Sequence, residues 1–291
     1  MTQIPARILE VQAEDYQSCF FQASRLYEQG NYREALAYYE QALNYRPNDY
    51  WSWYRQGSVL EDLGDYAAAL QSYQKAAQVR PEDYWAWYSL GYIALEELQQ
   101  YAQAADYFAR ARRLKPDDYW SVYRQGESLR RSNQFAAAIA CYRAALTLRP
   151  QDYWCFYRQG DAYQGLGQYE QALHHYQQAL AVRPGDYWAQ FQQAQTWEQM
   201  GIYYQAWNQY RCLYLAEPDD DQTQYAWALC CAQLGDRPGV IRQLEPLLQR
   251  FPAYYLTKIN QDTHLAELRC DPELAELLQV AAVGLVNGER A

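Results

Sequence analysis

Long apolar runs are missing from this sequence. Met1 to Glu14 holds none of the hydrophobic stretch of a secretory leader, and no later segment approaches 18 uninterrupted apolar residues. Membrane insertion is therefore not expected, and a cytoplasmic location is. A basic excess is missing as well. The formal charge of −10 leaves no surplus cations to displace counterions from nucleic acid or to dock on an anionic lipid surface. That argues against a nucleic-acid partner and makes a basic partner the natural electrostatic match. Seven cysteines form no C-x-x-C pair and their number is odd, which reads as a set of reduced thiols in a reducing compartment.

Histidine is scarce, and so are the constellations of catalysis. His174 and His175 point about 100° apart on a helix, and with His264 they are the only three. No Gly-rich phosphate loop, H-E-x-x-H or G-x-S-x-G occurs. With no nucleophile and base at working spacing, no enzyme activity, metal or cofactor is expected. Phenylalanine is also rare, 7 against 31 Tyr and 10 Trp, so the aromatic surface is amphipathic and of the kind that suits partly wet contacts.

What is present is repetition. Asp-Tyr-Trp returns at Asp49-Tyr50-Trp51, Asp83-Tyr84-Trp85, Asp118-Tyr119-Trp120, Asp152-Tyr153-Trp154 and Asp186-Tyr187-Trp188, each copy beginning two residues after a proline. The prolines Pro47, Pro81, Pro116, Pro150, Pro184, Pro218 and Pro252 stand 34 residues apart, with one spacing of 35. A period of this length means stacked supersecondary units rather than one globular core.

With Tyr50 as position 1, the unit carries Trp53 at 4, Gly57 at 8, Leu60 at 11, Gly64 at 15, Tyr66 at 17, Ala69 at 20, Tyr73 at 24, Ala76 at 27 and Pro81 at 32. The unit from Tyr153 repeats this with Phe156, Gly160, Tyr163, Gly167, Tyr169, Ala172, Tyr176, Ala179 and Pro184. The pattern resembles the tetratricopeptide repeat, a helix-turn-helix unit, in its Tyr/Trp-rich bacterial type. That resemblance implies an all-α, right-handed superhelical solenoid of antiparallel helix hairpins. The expected organisation is a lead-in over 1–15, whose Ile4, Ile8, Leu9 and Val11 can touch the first hairpin. Seven hairpins follow at 16–49, 50–83, 84–118, 119–152, 153–186, 187–220 and a degenerate 221–254, and a helical capping tail at 255–291. A fainter similarity to the prenyltransferase α-subunit repeat rests on Asn48-Asp49-Tyr50, Trp53 and Arg55, but the small residues at 8 and 20 and the proline at 32 favour the first reading.

The offsets have physical reasons. At about 100° per residue, positions 4, 7, 8 and 11 form one stripe. Small residues at 8 and 20 let two helices approach, while rings at 4, 17 and 24 fill the space around them. Aspartate before position 1 caps the first helix, glycine at 15 ends it, and proline at 32 stops the second. The unit from Tyr84 holds one residue more, Gln99-Gln100 standing where others have glycine and a polar residue. A longer turn or a helix bulge must absorb it, and the turn is the milder option.

Positions 2, 5 and 6 fall on the side away from the hairpin stripe, and in tetratricopeptide proteins that side lines the concave groove. The resemblance therefore implies a groove made of Trp51, Tyr54, Arg55, Trp85, Tyr88, Trp120, Tyr123, Arg124, Trp154, Tyr157, Arg158, Trp188 and Phe191. Two readings stay open: the rings are a contact surface, or they stack as extra packing between repeats. The arginines could meet a ligand carboxylate or pair within the chain. Aromatic residues at 2 and 5 disfavour the carboxylate-holding groove of the family's chaperone-binding branch. The expected function is a non-enzymatic scaffold that holds a protein or an extended peptide, similar to family members that assist assembly of larger complexes. A self-associating structural protein, or a binder that stacks a small molecule or glycan on the rings, is the alternative.

Overall fold

In the computed structural model, residues 6–288 are described, with side chains placed for residues 15–284. Among the described residues the chain is all-α. Ile4 lies outside them, as do the side chains of Ile8, Leu9 and Val11, while the backbone from Ala6 already belongs to the first helix. Two compact units divide between Pro150 and Gln151.

Among the described residues the first unit holds eight helices: α1 (Ala6–Glu28), α2 (Tyr32–Tyr45), α3 (Tyr50–Asp62), α4 (Tyr66–Val79), α5 (Tyr84–Glu96), α6 (Tyr101–Leu114), α7 (Tyr119–Arg131) and α8 (Phe135–Leu148). Each packs against the next in the chain. The second unit holds α9 (Tyr153–Gly165), α10 (Tyr169–Val182), α11 (Tyr187–Gln199), α12 (Tyr203–Ala216), α13 (Asp221–Gln233), α14 (Arg237–Arg250), α15 (Pro252–Gln261) and α16 (Pro272–Gly288). Two short 3-10 turns lie between α15 and α16. Tyr255, Ile259, Leu265 and Leu274 are buried in one cluster with Leu244 and Leu247 of α14, so the C-terminal helices cover that apolar face.

The starts of α3, α5, α7, α9, α11 and α13, the first helices of their repeats, are set by aspartates. The Asp49 carboxylate accepts from the Ser52 backbone N–H at 2.7 Å, Asp118 from Ser121 at 2.7 Å, Asp152 from Cys155 at 2.8 Å and Asp186 from Ala189 at 2.9 Å. Each bond satisfies one of the orphan donors of a first turn and opposes the positive helix end. Inside the turns, Gly64 and Gly167 take φ of +78° and +70°, the left-handed region that lets the chain reverse. The extra residue of the third repeat sits in its turn. α5 has the same 13 residues as α3, and Gln99 takes the left-handed place with φ 54°.

Position 8 meets position 24 at the heart of each hairpin. A Cβ added to Gly57 would lie 2.8 Å from the Tyr73 ring, one on Gly91 2.8 Å from Phe108, and one on Gly126 2.9 Å from Tyr142. Tyr39, Tyr73, Tyr142, Tyr176 and Tyr210 are almost wholly buried, and each phenol finds a partner. Tyr73 donates to Glu61 at 2.9 Å, Tyr142 to Glu127 at 3.1 Å, Tyr176 to Asp161 at 2.9 Å and Tyr210 to Glu198 at 3.1 Å, and Tyr39 shares a bond with Ser24 at 3.1 Å. Where the ring is Phe108 and has no hydroxyl, the residue aligned with Glu61 is Leu95, fully buried. Four of the five phenols thus meet an acid, from position 12 at Glu61 and Glu198 and from position 9 at Glu127 and Asp161, and in the repeat of Phe108 those two places hold Leu95 and Tyr92.

Two outcomes follow from this core. Gly57→Ala drives a methyl into the Tyr73 ring and should lower stability by about 1–3 kcal/mol in thermal or denaturant unfolding, although alanine is the better helix former. Burial raises the Glu198 carboxyl above its ordinary 4.5, opposed by the Tyr210 hydrogen bond. An acid raised in the fold binds its proton more tightly there than in the unfolded chain, so its ionisation opposes folding once pH passes the unfolded value. Glu198→Gln keeps an acceptor for Tyr210 without the charge. It should therefore unfold at a higher temperature than the parent at pH 7, and the advantage should vanish as pH falls below about 4.5.

Candidate functional site

The Asp-Tyr-Trp segments build one local arrangement per repeat. In Tyr84 the phenol donates to Asp118 at 2.8 Å, in Tyr153 to Asp186 at 2.6 Å, and in Tyr187 to Asp220. The carboxylate that caps one repeat's first helix is thus the acceptor for the preceding repeat's first tyrosine. Burial and then this hydrogen bond push the phenols of Tyr84 and Tyr153 well above their ordinary value, and that of Tyr187 up to about 12. They remain protonated donors at every physiological pH. At Asp220 burial works to raise the carboxyl, but bonds from the Thr223 and Tyr187 hydroxyls and from backbone N–H groups outweigh it and hold the acid below its usual value.

In five repeats the face of the first tyrosine is covered by a cation that ends the second helix. Arg46 lies 4.2 Å from the Tyr16 centroid, Arg80 4.7 Å from Tyr50, Lys115 4.2 Å from Tyr84, Arg149 3.9 Å from Tyr119 and Arg183 4.4 Å from Tyr153. The same charges sit 5.1–6.0 Å from Trp51, Trp85, Trp120 and Trp154. These geometries are within reach of a cation–π attraction. Sequence reasoning missed this role. The signal was available, since Arg or Lys immediately precedes Pro47, Pro81, Pro116, Pro150 and Pro184.

Against this frame the five tryptophans stand outward. Each indole meets its neighbouring tyrosine edge-on at 5.0–5.1 Å, and it retains 47% exposure at Trp51, 55% at Trp85, 47% at Trp120, 43% at Trp154 and 56% at Trp188. The position-5 rings behave otherwise. Tyr54, Tyr88 and Tyr123 are half-buried, and Tyr157 and Phe191 are buried, each stacked on its own position-1 tyrosine at 5.6–5.9 Å. Most of them also lean edge-on against the position-24 ring, as Tyr54 does on Tyr73 and Phe191 on Tyr210. These side chains bridge surface and core rather than standing free beside the indoles.

The arginines divide too. Arg55 is exposed. Arg124 pairs with Glu96 at 2.5 Å and covers the Tyr92 ring, and Arg158 pairs with Asp161 at 2.8 Å and lies near Trp154 and Tyr157. Two of the three are thus committed within their own unit. Trp53 and Trp87, at position 4, turn the other way and donate their indole N–H to the carbonyls of Pro47 and Pro81 at 2.7 and 2.8 Å, fixing the turn before their own helix. Among the described residues no group of three His, Cys, Asp or Glu is arranged to hold a metal, no disulfide forms, and no helix is long and apolar enough to cross a membrane.

This geometry, helix pairs with small-residue contacts and capped by aspartate, defines a repeat protein built for helix-pair stacking. Tetratricopeptide repeat models match residues 22–80, 54–119 and 153–186, and a TPR repeat model matches 126–167. The chain belongs to the tetratricopeptide repeat family. No curated protein matches it in sequence. Solved structures that it resembles include YrrB, described as a TPR protein with an unusual peptide-binding site, at 24% identity and TM-score 0.56 over 63% of this chain and 94% of that one. They also include the MamA protein, at 21% identity and TM-score 0.54 over 58% and 92%, and PilW, described as a type IV pilus biogenesis factor, at 19% and 0.52 over 72% and 96%. At these identities the likeness is one of fold.

The tyrosine-to-cap bond can be tested alone. Tyr84→Phe keeps the ring under Lys115 and removes only the hydroxyl that reaches Asp118. Stability should drop by about 1–3 kcal/mol, as for a hydrogen bond to a charged acceptor, with helical circular dichroism unchanged before the transition.

Proposed function

We propose that this protein is a non-enzymatic scaffold that binds a protein or an extended peptide through the tryptophan-bearing faces of its repeats, in the manner of an assembly factor. The observation that carries the reading is the repeated half-exposure of Trp51, Trp85, Trp120, Trp154 and Trp188 on a rigid tyrosine backing. A half-exposed indole presents about 100 Å², so the three of the first unit together present about as much as the largest patch of an ordinary monomer. None of the five fills a hairpin core, so their recurrence is not explained by packing alone. Because each indole is already held by its tyrosine, little side-chain entropy is lost on contact.

Tyr54, Tyr88, Tyr123, Tyr157 and Phe191 serve this surface as supports, and Arg55 as its exposed charge. Peptide recognition by YrrB lends the reading a precedent within the fold. The acidic balance favours a basic partner, and the odd cysteine count without a C-x-x-C pair is the ground for placing its work in the cytoplasm.

Trp85→Ala with Trp120→Ala tests the reading in the first unit. Capture of partner from the native source should fall at least about tenfold, the loss expected when two aromatic anchors go. Helical signal and unfolding midpoint should stay near those of the parent. Undiminished capture by the folded double variant would reject the surface.

A further inference from the structure

One rung of the cation ladder carries the opposite charge. Five repeats place Arg46, Arg80, Lys115, Arg149 or Arg183 before the proline and over the preceding tyrosine, but the sixth places Glu217 before Pro218. The aromatic half of the arrangement is unaltered there. Tyr187 and Trp188 meet at 5.1 Å and 88°, the edge-on geometry of the other four pairs, and the Tyr187 phenol still bonds the next cap, Asp220. Among the described residues no cation lies over either ring, and Trp188 is the most exposed of the five indoles at 56%.

A pocket of about 590 Å³ opens at this point, lined by Tyr187, Trp188, Glu217, Asp219, Asp220 and Gln222. The nearby in-chain cation is engaged elsewhere. Arg250 pairs with Asp221 at 2.8 Å, bonds Gln224 at 2.7 Å and reaches Asp219 only at 4.0 Å. Glu217 has no ion pair among the described residues. The chain thus supplies the aromatic cradle that elsewhere takes a guanidinium or ammonium, and edges it with a carboxylate instead of the charge that would fill it.

We propose that this pocket receives a basic side chain, arginine ahead of lysine, from a partner protein or peptide. The other repeats show the geometry such a charge adopts, 3.9–4.7 Å from the tyrosine centroid. A guanidinium can stack flat on the rings and fork onto the Glu217 carboxylate at once, which an ammonium cannot. A divalent ion needs several oxygens converging on one point, and among the described residues no group of three His, Cys, Asp or Glu is arranged to hold one. The inference names the chemistry of a ligand at the second unit and rests on the contact reading for Trp188 alone.

The probes are an acetylated, amidated Gly-Arg-Gly-Arg-Gly peptide and its citrulline counterpart, which has the same shape without charge. Binding is followed by the Trp188 indole N–H resonance in the full chain. The arginine peptide should shift that resonance and bind at least about tenfold more tightly than the citrulline peptide, the difference a desolvated cation–π contact with a carboxylate provides. Glu217→Arg restores the internal rung, so it should unfold no earlier than the parent and lose the arginine peptide by a similar factor. Equal binding of the two peptides, or unchanged binding by Glu217→Arg, overturns the proposal. A Trp51→Ala/Trp85→Ala variant separates the two readings. If it abolishes peptide binding while Glu217→Arg does not, the contact surface stands and this inference fails. If it keeps native partner and peptide while Glu217→Arg loses the peptide, this inference stands and the wider surface fails.

Discussion

The hydrogen bond from the first tyrosine of one repeat to the capping aspartate of the next ties two scales of structure together. Starting a helix is unfavourable because a whole turn must be ordered before any intrahelical bond returns free energy. Asp118 lowers that barrier by accepting from the Ser121 N–H, and the same carboxylate is approached by Tyr84 from the repeat before. A helix start is therefore best satisfied when its neighbour is already stacked. That coupling makes an array of short hairpins, none able to bury its own apolar face, fold as a cooperative series. The covering cation adds to it. Lys115 closes the ring face of Tyr84 from the end of α6, one step before the cap it helps to position.

From that tyrosine the rings run both inward and outward. In the repeat from Tyr153, Tyr176 is wholly buried, Tyr157 leans on it edge-on, Tyr153 stacks on Tyr157, and Trp154 meets Tyr153 at the surface with 43% exposure. Four rings in contact carry the packing constraint of the core to the indole, which is why the tryptophans hold one orientation from repeat to repeat. A surface organised this way is preformed, and what it lacks in adaptability it gains in a small ordering cost. The phenols along the path are all pushed upward by burial, so neither this relay nor the cap bonds respond to pH in the physiological range.

Much of the fold was readable because each feature has a local cause that repeats. The period, the aspartate caps, the glycine at the turn and the small residue facing the position-24 ring each follow from one residue and its offset. The outward turn of the tryptophans was readable in the same way, from the angle around a helix. What an angle does not give is where a long side chain ends. Position 5 lies one turn beyond position 1, so its ring falls back onto that tyrosine and against the second helix. Tyr157 and Phe191 were expected at the groove and are buried, at 7% and 4% exposure. The cations escaped notice for a different reason. A basic residue before proline at a helix end has an adequate local explanation in the helix dipole, and only the stacked neighbour reveals that it also covers a ring. Arg124 and Arg158 show the converse, residues whose apparent freedom was removed by acids one turn or one repeat away.

Departures from the repeat are of two kinds, and the difference between them is informative. In the third repeat Phe108 replaces the buried tyrosine, and the two places from which acids meet the phenol elsewhere hold Leu95 and Tyr92, so the core remains satisfied. The turn of that repeat likewise absorbs its extra residue at Gln99 without altering the helix before it. In the sixth repeat Glu217 replaces the basic residue, yet Tyr187, Trp188 and Asp220 stay as they are, and among the described residues no other side chain of the unit takes the place of that charge. A compensated change leaves the chain self-sufficient. An uncompensated one, at a position where five other repeats give the geometry and sign of the charge that fits, is the ground for proposing that a basic group comes from a second molecule.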